Sequence, residues 1–351
     1  GFLNGAGARL APEGARDTFA HGRRRPGDAP GELEPDRMRV RVASVTKAAT
    51  AHVACRLAVA GAVDLDDALA QALGVEPTGP QPTLSQLLNH SSGLRDAGGY
   101  ITEPPGTVRD LLTDALRPAT PPGAYFEYAN LNYVLLGAAR EVATGERLDH
   151  LMRREVMQRI GARGGLNWAG VAAADRADRL PLYHRHGDAL VLEADGDGAA
   201  WDADLIWRGG RGLSLDGYRT GLDTGLLSPH AGLRLTVGEM ARLARLFGED
   251  SAAARLQRRE TWRYDGTNGA WCDGLFPAFG LGLTLTPGDD RIPGRLAGHA
   301  GHALGFTGGA WVNLDTGTAW AYALTGSPDL TEDSDQEVFY PEPELTILEH
   351  F

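Results

Sequence analysis

Hydrophobic residues recur at helical spacing in several parts of the chain, and punctuating residues mark where those parts begin and end. The Ala-rich, mostly apolar stretch that ends on Gly61 predicts a buried helix with Ser44 near its N-terminus. Thr83 and Thr236 are predicted N-caps, and Gly145 breaks the longest periodic segment into two helices. The predicted helices cover residues 43–61, 83–88, 130–144, 148–160, 235–247 and 345–351.

A second pattern, the alternation of apolar and small residues, predicts strands toward the C-terminus. Leu281, Leu283 and Leu285 alternate in this way, and residues 310–324 predict a hairpin. Shorter strand-like pieces occur near the N-terminus, as at residues 38–42. Both ends of the chain are therefore expected to be rich in strands.

Strand-rich ends and a helical middle favour an α/β (α+β) fold, in which both ends join one antiparallel sheet flanked by helices. The middle is then an inserted, mostly helical domain with irregular loops, and a cleft lies between the two. Residues 1–65 and 235–351 are predicted to form a discontinuous sheet-plus-helix domain. Residues 66–234 are predicted to form the helical domain. The aromatic and Arg-rich stretch 183–211 is expected to overhang the cleft and shape the substrate pocket.

Composition excludes several classes of protein. The chain has 351 residues, enough for two domains and a sizeable core. Its net charge of −12, without a basic block, argues against a nucleic-acid-binding protein. The two cysteines, Cys55 and Cys272, exclude a disulfide scaffold and a four-cysteine zinc site. No apolar run reaches the roughly 18 residues of a membrane span, and no signal peptide is evident at Gly1, which leaves the compartment open.

Lys47 is the only lysine among 34 basic residues. Arginine does not lose its proton in a protein, whereas a buried lysine can act as a base. This indicates a position where arginine cannot substitute; the alternative is a surface lysine retained by chance. Ser44 lies three residues earlier, on the same helix face and near the helix N-terminus, whose N–H groups favour developing negative charge. A neutral lysine amine could take the Ser44 proton and activate that hydroxyl as a nucleophile.

A second candidate motif is Tyr128-Ala129-Asn130, directly before the longest periodic segment. Residues two apart on extended backbone point to the same side, so the Tyr128 phenol and the Asn130 amide would line one wall. A phenol beside a lysine ammonium favours phenolate and can move protons. The alternative for this pair is a core tyrosine followed by an Asn helix cap.

A third candidate motif, Gly298-His299-Ala300-Gly301-His302, opens a strand-like run. Glycines here would let a substrate backbone approach an edge strand. A strand N–H group could then pair with that of Ser44 to form an oxyanion hole. A His-bearing glycine turn is the alternative interpretation.

Together and in this order, the three motifs resemble those of the serine β-lactamase and penicillin-binding-protein superfamily, of which Ser-x-x-Lys is a signature. The similarity is greatest to the class C β-lactamase-like branch, with its D-aminopeptidases, D-Ala carboxypeptidases and family VIII esterases. Elements at residues 87–94, 130–137 and 228–233 are also similar to that branch. The resemblance spans roughly residues 15–325 and is specific for the superfamily, but it does not specify a substrate.

The resemblance implies a β-lactamase/transpeptidase-like fold and a role for each motif residue. Ser44 would be the acylated nucleophile, Lys47 its base, Tyr128 the proton relay, Asn130 the residue that positions Lys47 and the substrate amide, and the N–H groups of Ser44 and His302 the oxyanion hole. His90 and Gly93 would support the scaffold. This chemistry needs no metal and no cofactor.

The third motif departs from the β-lactamase pattern, which has Lys-Thr-Gly where this chain has His299-Ala300-Gly301. Lysine there is a permanent cation that attracts a substrate carboxylate, whereas histidine is largely neutral at pH 7. Ala300 also lacks the hydroxyl that would bond that carboxylate. Losing one such charge-assisted bond costs about 1.5–3 kcal/mol, roughly a tenfold to hundredfold loss of affinity. Arg295 is the nearby candidate cation, which keeps peptide substrates possible. His299 is still a candidate catalytic residue, and Ala300, Gly301 and Arg295 are the candidate substrate-binding residues.

The sequence therefore predicts a serine hydrolase that cleaves a small ester, amide or peptide substrate, as an esterase or a D-amino-acid amidase or peptidase. The alternatives are a β-lactamase or D-Ala-D-Ala carboxypeptidase, and a penicillin-binding sensor that is acylated without turnover. No nucleic-acid partner and no membrane span are expected, and the oligomeric state is not predicted. The resemblance favours a periplasmic or secreted location, with a cytoplasmic one as the alternative.

Overall fold

A computed structural model gives the fold. It describes residues 2–77, 79–103, 105–115, 118–193, 205–208, 211–270, 276–288, 294–326, 344 and 346–347. The α-helices in this part of the chain, α1 to α9, are Val45–Val59, Leu69–Leu73, Leu84–Leu88, Val108–Ala115, Asn130–Thr144, Leu148–Met152, Ala173–Ala177, Val237–Gly248 and Ala252–Arg258. None of the described helices is long and apolar enough to cross a membrane.

The strands are short in the middle of the chain and longer at its ends. In order, β1 to β16 are Asn4–Leu10, Arg16–Gly22, Gly31–Glu32, Val40–Arg41, Gly165–Leu166, Tyr183–His186, Ala189–Leu192, Leu205–Arg208, Arg211–Ser214, Leu233–Leu235, Trp262–Arg263, Ala278–Phe279, Thr284–Thr286, Leu296–Ala303, Phe306–Asn313 and Ala319–Thr325.

Nine of these strands form one antiparallel sheet in the order β11-β12-β13-β14-β15-β16-β1-β2-β3. The N-terminal strand β1 pairs on one side with β16, near the other end of the chain, with Asn4 opposite Thr325. This confirms that both ends of the chain join one antiparallel sheet flanked by helices. The division into two domains stays a prediction.

The two faces of this sheet are covered differently. On the inner face, α8 packs against β1, β15 and β16, and α1 packs against β14. Alternate side chains of the strands reach the outer face, where Trp311, Trp320 and Tyr322 form a buried cluster that Ile347 partly covers. Because successive residues of β14 point to opposite faces, this alternation decides which of its side chains face α1.

A second, three-stranded sheet leads the chain into α1. Its order is β4-β10-β5, and the N–H group of Val42 bonds the Leu233 carbonyl 3.0 Å away. Ala43 then adopts a left-handed backbone conformation with φ of 42°. A non-glycine residue there is strained, and the resulting sharp turn places Ser44 directly before the first turn of α1.

The structure differs from the predicted elements in two places. The helix predicted over 148–160 ends at Met152 and continues as a π-helical turn, Arg153–Met157. In that wider turn Glu155 accepts a hydrogen bond of 2.6 Å from Arg56 of α1. The apolar alternation at 281–285 is interrupted at Gly282, whose φ is +73° and whose added Cβ would lie 2.4 Å from Ala51.

For residues 164–230 and 345–351, the structure can be compared with the prediction only in part. The irregular stretch 164–230 contains short strands and α7, and the hairpin of β6 and β7 reaches the turn between β14 and β15, where a Cβ on Gly305 would meet the Tyr183 carbonyl. The predicted helix 345–351 lies mostly outside the described residues, as do Cys272 and much of 183–211.

Candidate active site

Ser44 and Lys47 meet at the N-terminus of α1, as their spacing predicted. Lys47 Nζ lies 2.9 Å from Ser44 Oγ. The Ser44 side chain does not cap the helix, and the residue is only partly buried. Its hydroxyl therefore bonds the lysine and remains open to a substrate.

Lys47 is fully buried and its amine has three acceptors. Besides Ser44 Oγ, Nζ donates to Asn130 Oδ1 at 2.7 Å and to the His230 carbonyl at 3.1 Å. Burial disfavours the ammonium form and lowers the pKa of Lys47 to about 7, although Asp96 acts in the opposite direction. Near neutral pH a large fraction of Lys47 is therefore a neutral amine that can accept the Ser44 proton.

Tyr128 stands beside this pair, with the centre of its ring 4.8 Å from Lys47 Nζ. The ring is stacked between His90, at 4.3 Å between centroids, and Phe276, at 5.4 Å. The backbone on either side is also held, because the His90 carbonyl accepts from Glu127 N and His90 Nδ1 accepts from Ala129 N. Tyr128 is thus fixed in place next to the lysine.

His90 and Gly93 occupy the supporting positions that the sequence predicted. Burial holds the pKa of His90 well below its usual range. A neutral ring whose Nδ1 accepts a hydrogen bond carries its proton on Nε2. Gly93 has φ of +77°, and a Cβ there would lie 2.1 Å from the Thr120 carbonyl. Only glycine fits this turn without movement of the backbone.

Asn130 is the first residue of α5, and its side chain is held from two directions. Its Oδ1 faces Lys47, while its Nδ2 donates to Asp96 Oδ2 at 2.9 Å. Neither Asp96 nor the His230 carbonyl was predicted from the sequence. His230 lies within the element at residues 228–233 that is similar to the class C-like branch. Asp96, however, is 34 residues from Asn130, and nothing in the local pattern connects the two.

The third motif, residues 298–302, lies within β14 and next to Ser44. A Cβ on Gly301 would lie 2.7 Å from the Val42 carbonyl and 3.2 Å from Ser44 N. Glycine is therefore required where β14 passes the N-terminus of α1. The ladder with β13 ends at Gly298, so beyond it this edge of β14 is not bonded to β13. The oxyanion role of Ser44 N and His302 N stays a prediction.

His299 is buried on the α1 side of β14. Its Nδ1 lies 2.5 Å from the Ala300 carbonyl and donates to it. Burial and the nearby Lys47 charge lower the pKa of His299 to about 3. The ring is therefore neutral throughout the physiological range, and its Nε2 carries a lone pair rather than a proton.

None of the three predicted substrate-binding residues, Ala300, Gly301 and Arg295, brings a cation next to Ser44. Ala300 lies on the outer face, in the buried cluster with Trp311 and Tyr322. Arg295 precedes β14, and its guanidinium is paired with Asp315, with 2.6 Å between Nη2 and Oδ1. Four residues of strand, about 13 Å, separate Arg295 from His299. The structure thus does not bring Arg295 together with the Ser44 pair.

The side chain of His302 also points to the outer face, where it binds Glu344. Its Nε2 donates to Glu344 Oε2 at 2.5 Å, and the Tyr322 hydroxyl donates to Glu344 Oε1 at 2.6 Å. Glu344 is fully buried. These bonds hold Glu344 against the strand that carries the third motif.

Comparison with known proteins agrees with this geometry. A family model described as Beta-lactamase matches residues 19–340. The D-amino acid amidase from Ochrobactrum anthropi SV3, solved with L-phenylalanine, is similar with a TM-score of 0.74 at 20% identity, over 100% of this chain and 94% of that one. The β-lactamase/D-alanine carboxypeptidase from Yersinia pestis, complexed with citrate, has a TM-score of 0.70 at 18% identity, over 99% and 92%.

A third similar structure is the D-stereospecific amidohydrolase from Streptomyces sp., with a TM-score of 0.63 at 20% identity, over 96% of this chain and 93% of that one. At these identities the solved structures establish a shared fold. The family match covers nearly the whole chain, including all three motifs. The chain therefore belongs to the Beta-lactamase family and is a hydrolase of the serine β-lactamase and penicillin-binding-protein superfamily.

Proposed function

We propose that the enzyme cleaves amides and esters of D-amino acids through an acyl-enzyme on Ser44. The observation that carries this proposal is the 2.9 Å contact between Ser44 Oγ and the buried Lys47 amine. A buried lysine with a pKa of about 7 supplies the base that a serine hydroxyl needs to attack a carbonyl.

The reaction has two halves. Neutral Lys47 takes the Ser44 proton while Oγ bonds the substrate carbonyl carbon. The N–H groups of Ser44 and His302 stabilise the negative oxygen of the tetrahedral intermediate. A proton passed from Lys47 by way of Tyr128 reaches the leaving nitrogen or oxygen as its bond to carbon breaks. A water molecule then gives a proton to the same pair and attacks the ester on Ser44. The bond between Oγ and the acyl carbon breaks, the acid leaves, and the pair returns the proton to Ser44 Oγ.

The substrate class follows from the third motif. A neutral His299, the outer-face position of Ala300 and the ion pair of Arg295 with Asp315 offer no cation for a substrate carboxylate next to Ser44. Amides and esters without a free carboxylate fit this site better than penicillins, which carry one in addition to the lactam amide that reacts. The names of the Ochrobactrum and Streptomyces proteins specify D-amino acid amides and D-stereospecific hydrolysis, which supports the D configuration.

The test is steady-state hydrolysis of p-nitrophenyl acetate, D-alanine and L-alanine p-nitroanilide, and the cephalosporin nitrocefin. We expect turnover of the ester and the D-anilide, and at least about tenfold slower turnover of nitrocefin, because one charge-assisted bond is missing. Ser44→Ala should lower kcat/KM on the order of 10³-fold or more. Ser251→Ala, which removes only the cap of α9, is the matched control and should keep wild-type activity.

Each of the other outcomes would contradict a different part of the proposal. If nitrocefin is the best substrate, the protein is a β-lactamase and the carboxylate argument is wrong. One equivalent of product released without a steady state would indicate a penicillin-binding sensor. Equal rates on the D- and L-anilides would remove the stereochemical part of the proposal. Full activity of Ser44→Ala would overturn the assignment of the nucleophile.

The pH dependence of kcat/KM should follow Lys47. The neutral amine is the active form, so the rate should rise as the pH passes through about 7. A His299→Asn variant should keep that midpoint, because His299, with a pKa of about 3, does not titrate in this range. Profiles from pH 5 to 9 on the p-nitrophenyl ester measure it. A midpoint that disappears in His299→Asn would assign the titration to the histidine instead.

A further inference from the structure

The carboxylate of Asp96 accepts three hydrogen bonds from the start of α5. Oδ2 accepts from Asn130 N and from Asn130 Nδ2, and Oδ1 accepts from Leu131 N, each at 2.9 Å. The formal cap residue, Ala129, has no side chain that could do this. Asp96 thus caps α5 from a separate short 3₁₀ turn, Asp96–Gly98.

The same carboxylate determines the orientation of the Asn130 amide. An asparagine side chain has one accepting and one donating end, and the two are nearly equal in size. Asp96 Oδ2 can only accept, so it binds the Nδ2 end and leaves Oδ1 to face Lys47 Nζ at 2.7 Å. With the amide reversed, its N–H groups would point at the lysine ammonium. A continuous series of hydrogen bonds therefore connects Asp96 through Asn130 and Lys47 to Ser44.

We propose that Asp96 is a positioning residue of the hydrolase, which locks the Asn130 amide and stabilises the Lys47 ammonium as Lys47 takes the Ser44 proton. The inference rests on the proposed function, because it assigns Lys47 the role of base. Asp96 touches neither substrate nor Ser44 and acts through Asn130. An ammonium that forms in a buried site is stabilised by a nearby fixed negative charge.

The charge of Asp96 also acts on the titration of Lys47. Burial lowers the pKa of Lys47, and Asp96 partly reverses that effect. Among the residues that the structure describes, the other titratable groups around Lys47 are Tyr128, Tyr133, His90, His230 and His299. His90 and His299 are neutral at physiological pH because their pKa values lie far below 6.5. Loss of the Asp96 charge should therefore lower the pKa of Lys47 further.

The test is Asp96→Asn with the p-nitrophenyl ester as substrate. All three partners of Asp96 are N–H donors, so the new amide nitrogen faces at least one of them without a bond, and the Asn130 amide is free to flip. We expect kcat to fall about 10- to 100-fold with KM changed less than about threefold. The acid limb of the kcat/KM profile should move to lower pH.

Asp110→Asn is the matched control. Asp110 Oδ2 accepts from Thr107 N at the start of α4, so this variant also removes one negative charge from a helix start. It should keep the wild-type kcat and acid limb. Asp96→Ser is the second variant, in case Asp96→Asn folds poorly. Serine is a good helix cap without a charge. The acid limb of the Asp96→Ser variant should therefore also move to lower pH.

A double-mutant cycle with Asn130→Ala separates positioning from a general structural effect. If Asp96 acts through Asn130, Asp96→Asn should change kcat less than about threefold in the Asn130→Ala background. Multiplicative losses, or an acid limb that stays in place in both Asp96 variants, would overturn the inference. Failure of the proposed function shows separately, as wild-type turnover that does not depend on Ser44.

Discussion

Lys47→Arg is expected to lower kcat on the order of 10³-fold on the p-nitrophenyl ester and to remove the acid limb near pH 7. Arginine keeps the positive charge but does not release its proton at any pH the enzyme tolerates. It therefore cannot take the proton of Ser44, and general base catalysis of this kind contributes about 10²- to 10⁴-fold. The measurement is kcat and kcat/KM from pH 5 to 9.

Because Lys47 is fully buried, the larger guanidinium can also disturb the fold, so Lys47→Met is assayed in parallel. Methionine is uncharged, has a similar length and suits a buried site, but it has no basic nitrogen. Both variants should show the same loss of kcat, whatever their thermal midpoints. If either variant kept more than about a tenth of the wild-type kcat, Lys47 would not be the base.

Arg39→Met is expected to have the largest effect on stability. Arg39 is 1% exposed and donates to Asp175 Oδ1 and Glu239 Oε1, each at 2.9 Å. Removal of the guanidinium leaves two buried carboxylates without this cation, which typically costs about 3–5 kcal/mol in free energy of unfolding. Since Arg163 also contacts Asp175, the lower end, about 3 kcal/mol, is expected. Urea unfolding measures it.

The chain offers a close control two residues earlier. Arg37 also binds two carboxylates, those of Glu34 and Asp178, but its side chain is 56% exposed. Water screens that pair and solvates the carboxylates when the arginine is removed. Arg37→Met should therefore shift the unfolding midpoint far less than Arg39→Met. Equal shifts would show that the burial of Arg39 is not what makes its ion pairs important.

Several elements were predictable because their determinants are local. The apolar run of α1, the threonine caps of α3 and α8 and the glycine end of α5 are all confirmed. The predicted strand through Leu281 and Leu283 was wrong at Gly282, where the chain turns against α1. That turn depends on a neighbour more than 200 residues away, and the local alternation does not contain it.

The contact between Ser44 and Lys47 was determined by the sequence itself, because residues three apart on a helix lie on the same face. Tertiary structure decided what this contact can do. Lys47 acquires a pKa of about 7 only because the fold buries it. Asn130 and the carbonyl of His230 come to its amine from 83 and 183 residues away along the chain.

The same division holds for the third motif. Its residue types predicted a site poor in cations, and the alternation of β14 then sent His299 toward α1 and Ala300 to the outer face. Asp96 was beyond the reach of sequence reasoning, because its role depends on one loop meeting the start of one helix. Sequence thus determined the chemical groups and their local geometry, whereas burial and long-range contacts, which exist only in the folded chain, determined their protonation and partners.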